Sequence, residues 1–213
     1  MSHIKIPNYT LGEELINSIS HGIGAGLSIA ALVLLIIRSN TLIGLLTSLV
    51  YAISLILLYT ISCIYQALSP RLAGKKVLRV LDHCNVLLLE AGTYTPICLC
   101  LFSAPLSWIM FGIVWGITVI AIIFNTMDVD RYQGVSVACN LILGWAILFV
   151  IRPLINSCAI RGIVYLVLGG VMYSIGAILY GIGAKKRYMH SVFHFFVLAG
   201  SLFHFFMIYF YVI

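Results

Sequence analysis

The chain has 213 residues, of which 62% are hydrophobic and only 8% charged, with twelve Lys and Arg against six Asp and Glu for a net charge of +6. No water-soluble domain of this length covers its core with so little polar surface, so the composition excludes a soluble globular protein and implies an integral membrane protein. The positive charge does not indicate nucleic-acid binding, because it sits in short connecting segments and no basic domain lies outside the apolar runs.

Residues 1–19 read as a short polar segment without the apolar core and small-residue exit of a cleaved leader. Runs long enough to cross about 30 Å of hydrocarbon follow at Ser20 to Ile37, Leu42 to Leu68, Val86 to Phe102, Trp108 to Phe124, Gly134 to Ile151, Gly162 to Gly183 and Ser191 to Ile213. The expected fold is therefore all-α, a single seven-helix membrane domain over residues 1–213. If the N-terminus is on side one, that side carries Lys5, Arg71, Lys75, Lys76, Arg79, Arg131, Lys185, Lys186 and Arg187, against Arg38, Arg152 and Arg161 on side two. Nine against three predicts a cytoplasmic N-terminus and an external C-terminus. This orientation and the lack of a lysine in the seventh span argue against a rhodopsin-type receptor.

Cys63, Cys84, Cys98, Cys100, Cys139 and Cys158 have neither zinc-ribbon spacing nor the density of a secreted scaffold, and read as free packing residues. Small residues mark expected helix contacts: Gly169, Gly176 and Gly183 recur every seven positions, with Gly170, Ala177 and Gly181 beside them, and Gly22 and Gly26 lie four apart. Pro96, after Thr93, Tyr94 and Thr95, is expected to bend the third span.

Polar side chains gather at one level. His190 and His194 open the seventh span, on one helix face and about 6 Å apart along the axis, a spacing at which both imidazoles can reach one metal ion. Ser62 and Gln66 lie one turn apart near the same side of the membrane, Asp82 and His83 lead into the third span, and Glu14, Asn17 and His21 share a face of the first. Each has a simpler explanation alone: headgroup contact for the histidine pair, an Arg79 partner or a helix cap for Asp82, a bond to its own helix for Ser62, and a solvated face for the first-span group. Four helices bringing scarce polar groups to one level favours a site. Glu90, about 12 Å deeper than Asp82, and His204, about 15 Å beyond His194, stand apart. Glu90 must be protonated, paired or hydrated at that depth, and His204 is expected to hydrogen-bond a neighbouring helix.

The stretches Glu13 to Gly24 (EELINSISHGIG), Leu58 to Pro70 (LYTISCIYQALSP), Leu81 to Pro96 (LDHCNVLLLEAGTYTP), Gly169 to Tyr180 (GGVMYSIGAILY) and His190 to Phe205 (HSVFHFFVLAGSLFHF) resemble, in order, the hemolysin III family of bacterial membrane proteins. That family is a branch of the progestin and adiponectin receptor superfamily (PAQR), distantly related to alkaline ceramidases. The resemblance implies a bacterial cytoplasmic membrane location and a cytoplasmic-side Zn2+ held by one second-span and two seventh-span histidines. Carried over, His190 and His194 are zinc ligands, Ser62 is the serine one turn before the second-span ligand, and Asp82 is the aspartate near the metal-bound water. The remaining ligand position holds Gln66, whose neutral amide oxygen is a poor zinc donor; His21, His83 or a carboxylate would have to substitute.

The implied activity is zinc-dependent hydrolysis of a lipid amide or ester, with Asp82 and Ser62 catalytic and membrane lipids as partners. The alternative is a non-enzymatic membrane-homeostasis or lipid-sensing bundle. A third reading follows the family name, a pore-forming cytolysin, and is disfavoured because the ionisable residues sit mainly at helix ends.

Overall fold

The computed structural model describes residues 4, 6–7, 9–183 and 186–213; Lys5 and Lys185, two of the charges used to orient the chain, lie outside them. Among the described residues, seven helices are long and apolar enough to cross a membrane: α1 (Leu11–Arg38), α2 (Leu42–Ala67), α3 (Gly74–Leu101), α4 (Leu106–Met127), α5 (Gln133–Ser157), α6 (Ile160–Gly183) and α7 (Met189–Tyr211). The protein is a multi-pass membrane protein.

Two helices begin well before the apolar runs that announce them. Thr10 caps α1: its hydroxyl accepts from the Glu13 amide at 3.4 Å while the Glu13 carboxylate accepts from the Thr10 amide at 2.9 Å, a reciprocal capping box. Helix α1 therefore starts at Leu11, nine residues before Ser20. The second Glu13 oxygen accepts from the Tyr188 amide at 2.7 Å. Tyr188 has φ 63°, a left-handed conformation that costs a non-glycine residue about 1–3 kcal/mol, and the Glu13 bond helps hold it at the start of α7. Helix α3 begins at Gly74, so Asp82 and His83 lie inside a helix rather than leading into one.

Two spans are not plain α-helices. After Pro96, which lacks an amide donor, α3 continues as a π-helical turn over Ile97–Leu101. In α5, an α-helix (Gln133–Trp145) gives way to a 3-10 segment (Ala146–Val150) and a final α-helical piece (Ile151–Ser157). The Tyr94 hydroxyl enters this break, donating to the Leu143 carbonyl at 2.7 Å and accepting from the Ile147 amide at 2.9 Å. An inserted side chain thus satisfies backbone groups that a continuous helix would pair itself.

Helix α1 packs on α2 and α7, α2 on α3, α3 on α4 and α5, and α6 on α5 and α7. This closes a ring of six helices, with α4 outside it presenting Trp108, Ile109, Ile113, Ile120 and Ile123 outward. The seven-residue glycine repeat of α6 is the α7 contact. A Cβ on Gly169 would run into the His204 ring, one on Gly176 would lie 3.4 Å from Phe193, and one on Gly183 would lie 2.9 Å from the His190 amide nitrogen. Gly170 faces Trp145 and Gly22 faces Cys63, whereas a methyl at Gly26 or Gly181 would meet no atom within 4 Å, so neither marks a close contact. All six cysteines are free.

Candidate functional site

The predicted polar residues share one chamber. His194 and Gln66 are each 1% exposed, His21 3%, and His190 8%, so the α7 histidine pair turns inward rather than toward lipid headgroups. Their Nε2 atoms are 3.1 Å apart. The ring of His21 lies against that of His194, centroids 3.8 Å apart, and Tyr9 stacks on His190 at 4.9 Å with an interplanar angle of 20°. Burial holds the Tyr9 phenol well above its ordinary pKa, so it meets His190 as a neutral ring.

Specific neighbours surround the individual residues. Arg79 pairs with Asp130 at 2.7 Å, Asp82 lies eight residues inside α3 instead of capping it, and Ser62 is buried and lines the same cavity as Asp82. On α1, Glu14 pairs with Lys75 at 2.8 Å, and Asn17 and His21 are buried between helices. Glu14 therefore ties α1 to α3 rather than entering the chamber. His83 lines the chamber and meets Tyr180 edge-on at 6.1 Å.

The zinc that the resemblance implies can be tested against these positions. His190 and His194 converge, but Gln66 is committed elsewhere: its Oε1 accepts from Asn17 Nδ2 at 3.3 Å. The His21 ring lies tilted at 40° against His194, and among the described residues no three His, Cys, Asp or Glu side chains are grouped to hold a metal ion. Beside the two imidazoles Gln66 brings only a neutral amide oxygen that already accepts one hydrogen bond, a poor donor set for zinc.

The chamber is the mouth of a larger cavity, whose 1510 Å³ of empty space includes open solvent at the mouth. Pro7, Tyr9, Arg79 and His83 surround the mouth; Leu58, Val86, Leu89, Leu141, Phe193 and Val197 form apolar walls; Glu90, Asn140 and His204 line the deep part. Glu90 and His204, which stand apart in the sequence, thus belong to the same void as Asp82 and His194. As expected, His204 bonds across helices, its Nε2 lying 3.2 Å from the Leu166 carbonyl on α6. Several polar atoms facing this interior have no protein partner: Arg79 Nη1, both His21 nitrogens and His194 Nδ1 near the mouth, and Glu90 Oε2, Asn140 Oδ1 and His204 Nδ1 below. Unpaired buried groups are costly, so such a collection points to a polar ligand or water.

Sequence reasoning missed Glu13, Arg79, Tyr9 and Asn140. The Thr10-to-Glu13 spacing before an apolar run was the available signal for Glu13, and Asn140 is a polar residue within an apolar span. Arg79 was legible only as a possible partner of Asp82, and nothing in the sequence placed Tyr9 at the mouth.

These features define a seven-helix membrane protein with a buried, polar-mouthed cavity. Residues 9–205 match the family model described as "Haemolysin-III related", and the chain belongs to that family. It is 39% identical to Hemolysin-3 of Bacillus cereus, covering 94% of this chain and 92% of the relative, and 35% identical to the Hemolysin-3 homolog of Bacillus subtilis (strain 168), covering 95% and 96%. A more distant likeness, 22% identity over 76% of this chain and 68% of the relative, is to the human Monocyte to macrophage differentiation factor.

Proposed function

We propose that this protein binds a membrane lipid, with the polar head at the mouth near Arg79, His21, His190 and His194 and an acyl chain along the apolar walls. The carrying observation is the shape and chemistry of the cavity: unpaired polar atoms gathered at its mouth and apolar side chains along its length. The mouth faces the cytoplasm in this reading, on the side rich in Lys and Arg, in a bacterial cytoplasmic membrane. Arg79 Nη1 is the donor suited to an anionic head. The test is photo-crosslinking with a diazirine fatty acid in lipid nanodiscs. Label confined to cavity-facing peptides of α2, α3 and α7 supports the reading, and label only on outward faces refutes it.

Hydrolysis of a lipid amide or ester is the second reading, favoured by Ser62 and Asp82 lining the same cavity. In it Asp82 orients a water and takes its proton while Ser62 supports the carboxylate. Fatty-acid release that is lost in Asp82→Asn while lipid binding persists would establish it; binding without release leaves the protein a lipid sensor or carrier.

A pore is disfavoured. The lining reaches Ile97, Leu166 and His204, and further along their helices Leu154, Ile163, Met207 and Ile208 are buried apolar residues rather than a polar path.

A further inference from the structure

The deep part of the cavity holds three unpaired polar atoms of the same kind. His204 is 8% exposed, and with its Nε2 donating to the Leu166 carbonyl its Nδ1 is left as a lone-pair acceptor with no partner. Glu90 Oε2 and Asn140 Oδ1 are also without partners, and all three residues line the same void. Three neighbouring polar side chains are already bonded elsewhere. Tyr94 gives its hydroxyl to Leu143, Trp145 gives its indole N–H to Ser174 at 3.0 Å, and Tyr173 is bonded to Ser201 at 2.7 Å. A lipid chain that ended in a methyl group here would leave those acceptors unpaired in a low-dielectric interior.

We infer that the cavity floor is a second polar subsite, where Glu90, Asn140 and His204 receive a hydroxyl carried far along the bound chain. The inference rests on the lipid-binding reading above and specifies its ligand: an amphiphile with a hydrogen-bond donor remote from its head. Eight residues separate Asp82 from Glu90 along α3, and ten separate His194 from His204 along α7, rises of about 12 and 15 Å. An extended chain of about ten to twelve carbons spans that interval, so the hydroxyl belongs near the end of a medium-length chain or midway along a long one.

The experiment compares dodecanoic acid with 12-hydroxydodecanoic acid, each binding to the full chain in lipid nanodiscs. The native protein is expected to prefer the hydroxylated acid about tenfold, the worth of one well-made hydrogen bond. Glu90→Leu is expected to lose that preference, the ratio of the two affinities falling to about one. His204→Gln, which keeps a polar side chain, tests the floor independently of the carboxyl and is expected to lower the preference. Equal binding of the two acids by the native chain means that water alone satisfies the floor and overturns the inference. A preference that survives in Glu90→Leu overturns the assignment of the subsite. If neither acid binds the native chain, the lipid-binding reading itself fails; if both bind without discrimination, only the subsite does.

Discussion

At position 66 an amide stands where the resemblance implies an imidazole, and that amide is bonded to Asn17 across α1 and α2. One residue thus decides whether the α7 histidines have a third partner, because two imidazoles and a neutral amide oxygen hold zinc poorly. The native protein, purified without added metal and analysed by plasma mass spectrometry, is expected to carry clearly less than one zinc per chain. Gln66→His is expected to approach one, and the double variant Gln66→His/His194→Ala to lose it again. Stoichiometric zinc in the native chain that disappears in His194→Ala would contradict this account of the site. The histidine spacing and the odd glutamine were both legible in the sequence. That Gln66 would turn to Asn17, and that the His21 ring would lie against His194, were not, because helical periodicity assigns a level and a face but no rotamer.

Among the helices, α6 and α7 show how sequence spacing becomes packing. Gly169, Gly176 and Gly183 meet His204, Phe193 and His190 in turn, so the absence of side chains on one helix makes room for the cavity-lining rings on the other. Gly169→Ala should force the His204 ring out of place, an overpacking cost of about 1–3 kcal/mol, seen as an apparent melting temperature several degrees lower in detergent. Gly181→Ala, with nothing within 4 Å, should be neutral or slightly stabilising in the same assay, since alanine favours the helix. Equal effects of the two substitutions would show that the repeat is not the contact.

The number of helices was legible because seven apolar runs admit few other structures in a bilayer. Their starts were less so. Glu13, Glu14, Lys75, Lys76 and Arg79 are polar residues in the first turns of α1 and α3, and a hydropathy pattern reads such turns as loop although the backbone is helical. The break in α5 was equally hidden, since it depends on the Tyr94 hydroxyl arriving from another helix.

For the whole molecule, the ring of six helices encloses a void that is polar at its mouth, apolar along its walls and followed, further along the helices, by buried apolar residues. The sequence showed polar groups at one level and two deeper exceptions. It could not show that they line the same space, because that follows from how six helices close around it. An apolar far end predicts that purified protein at defined protein-to-lipid ratios leaves a fluorescent dye trapped in sealed liposomes; protein-dependent leakage would revive the pore. The cavity itself is tested most directly by native mass spectrometry of the protein extracted from its own membrane, set beside Ala177→Trp, which puts an indole into the lined space. The account predicts about one acylated lipid retained per native chain, and its loss in Ala177→Trp with the melting temperature preserved. A native chain that flies without lipid, or a tryptophan variant that retains it equally, would contradict the claim that this cavity is built to hold one.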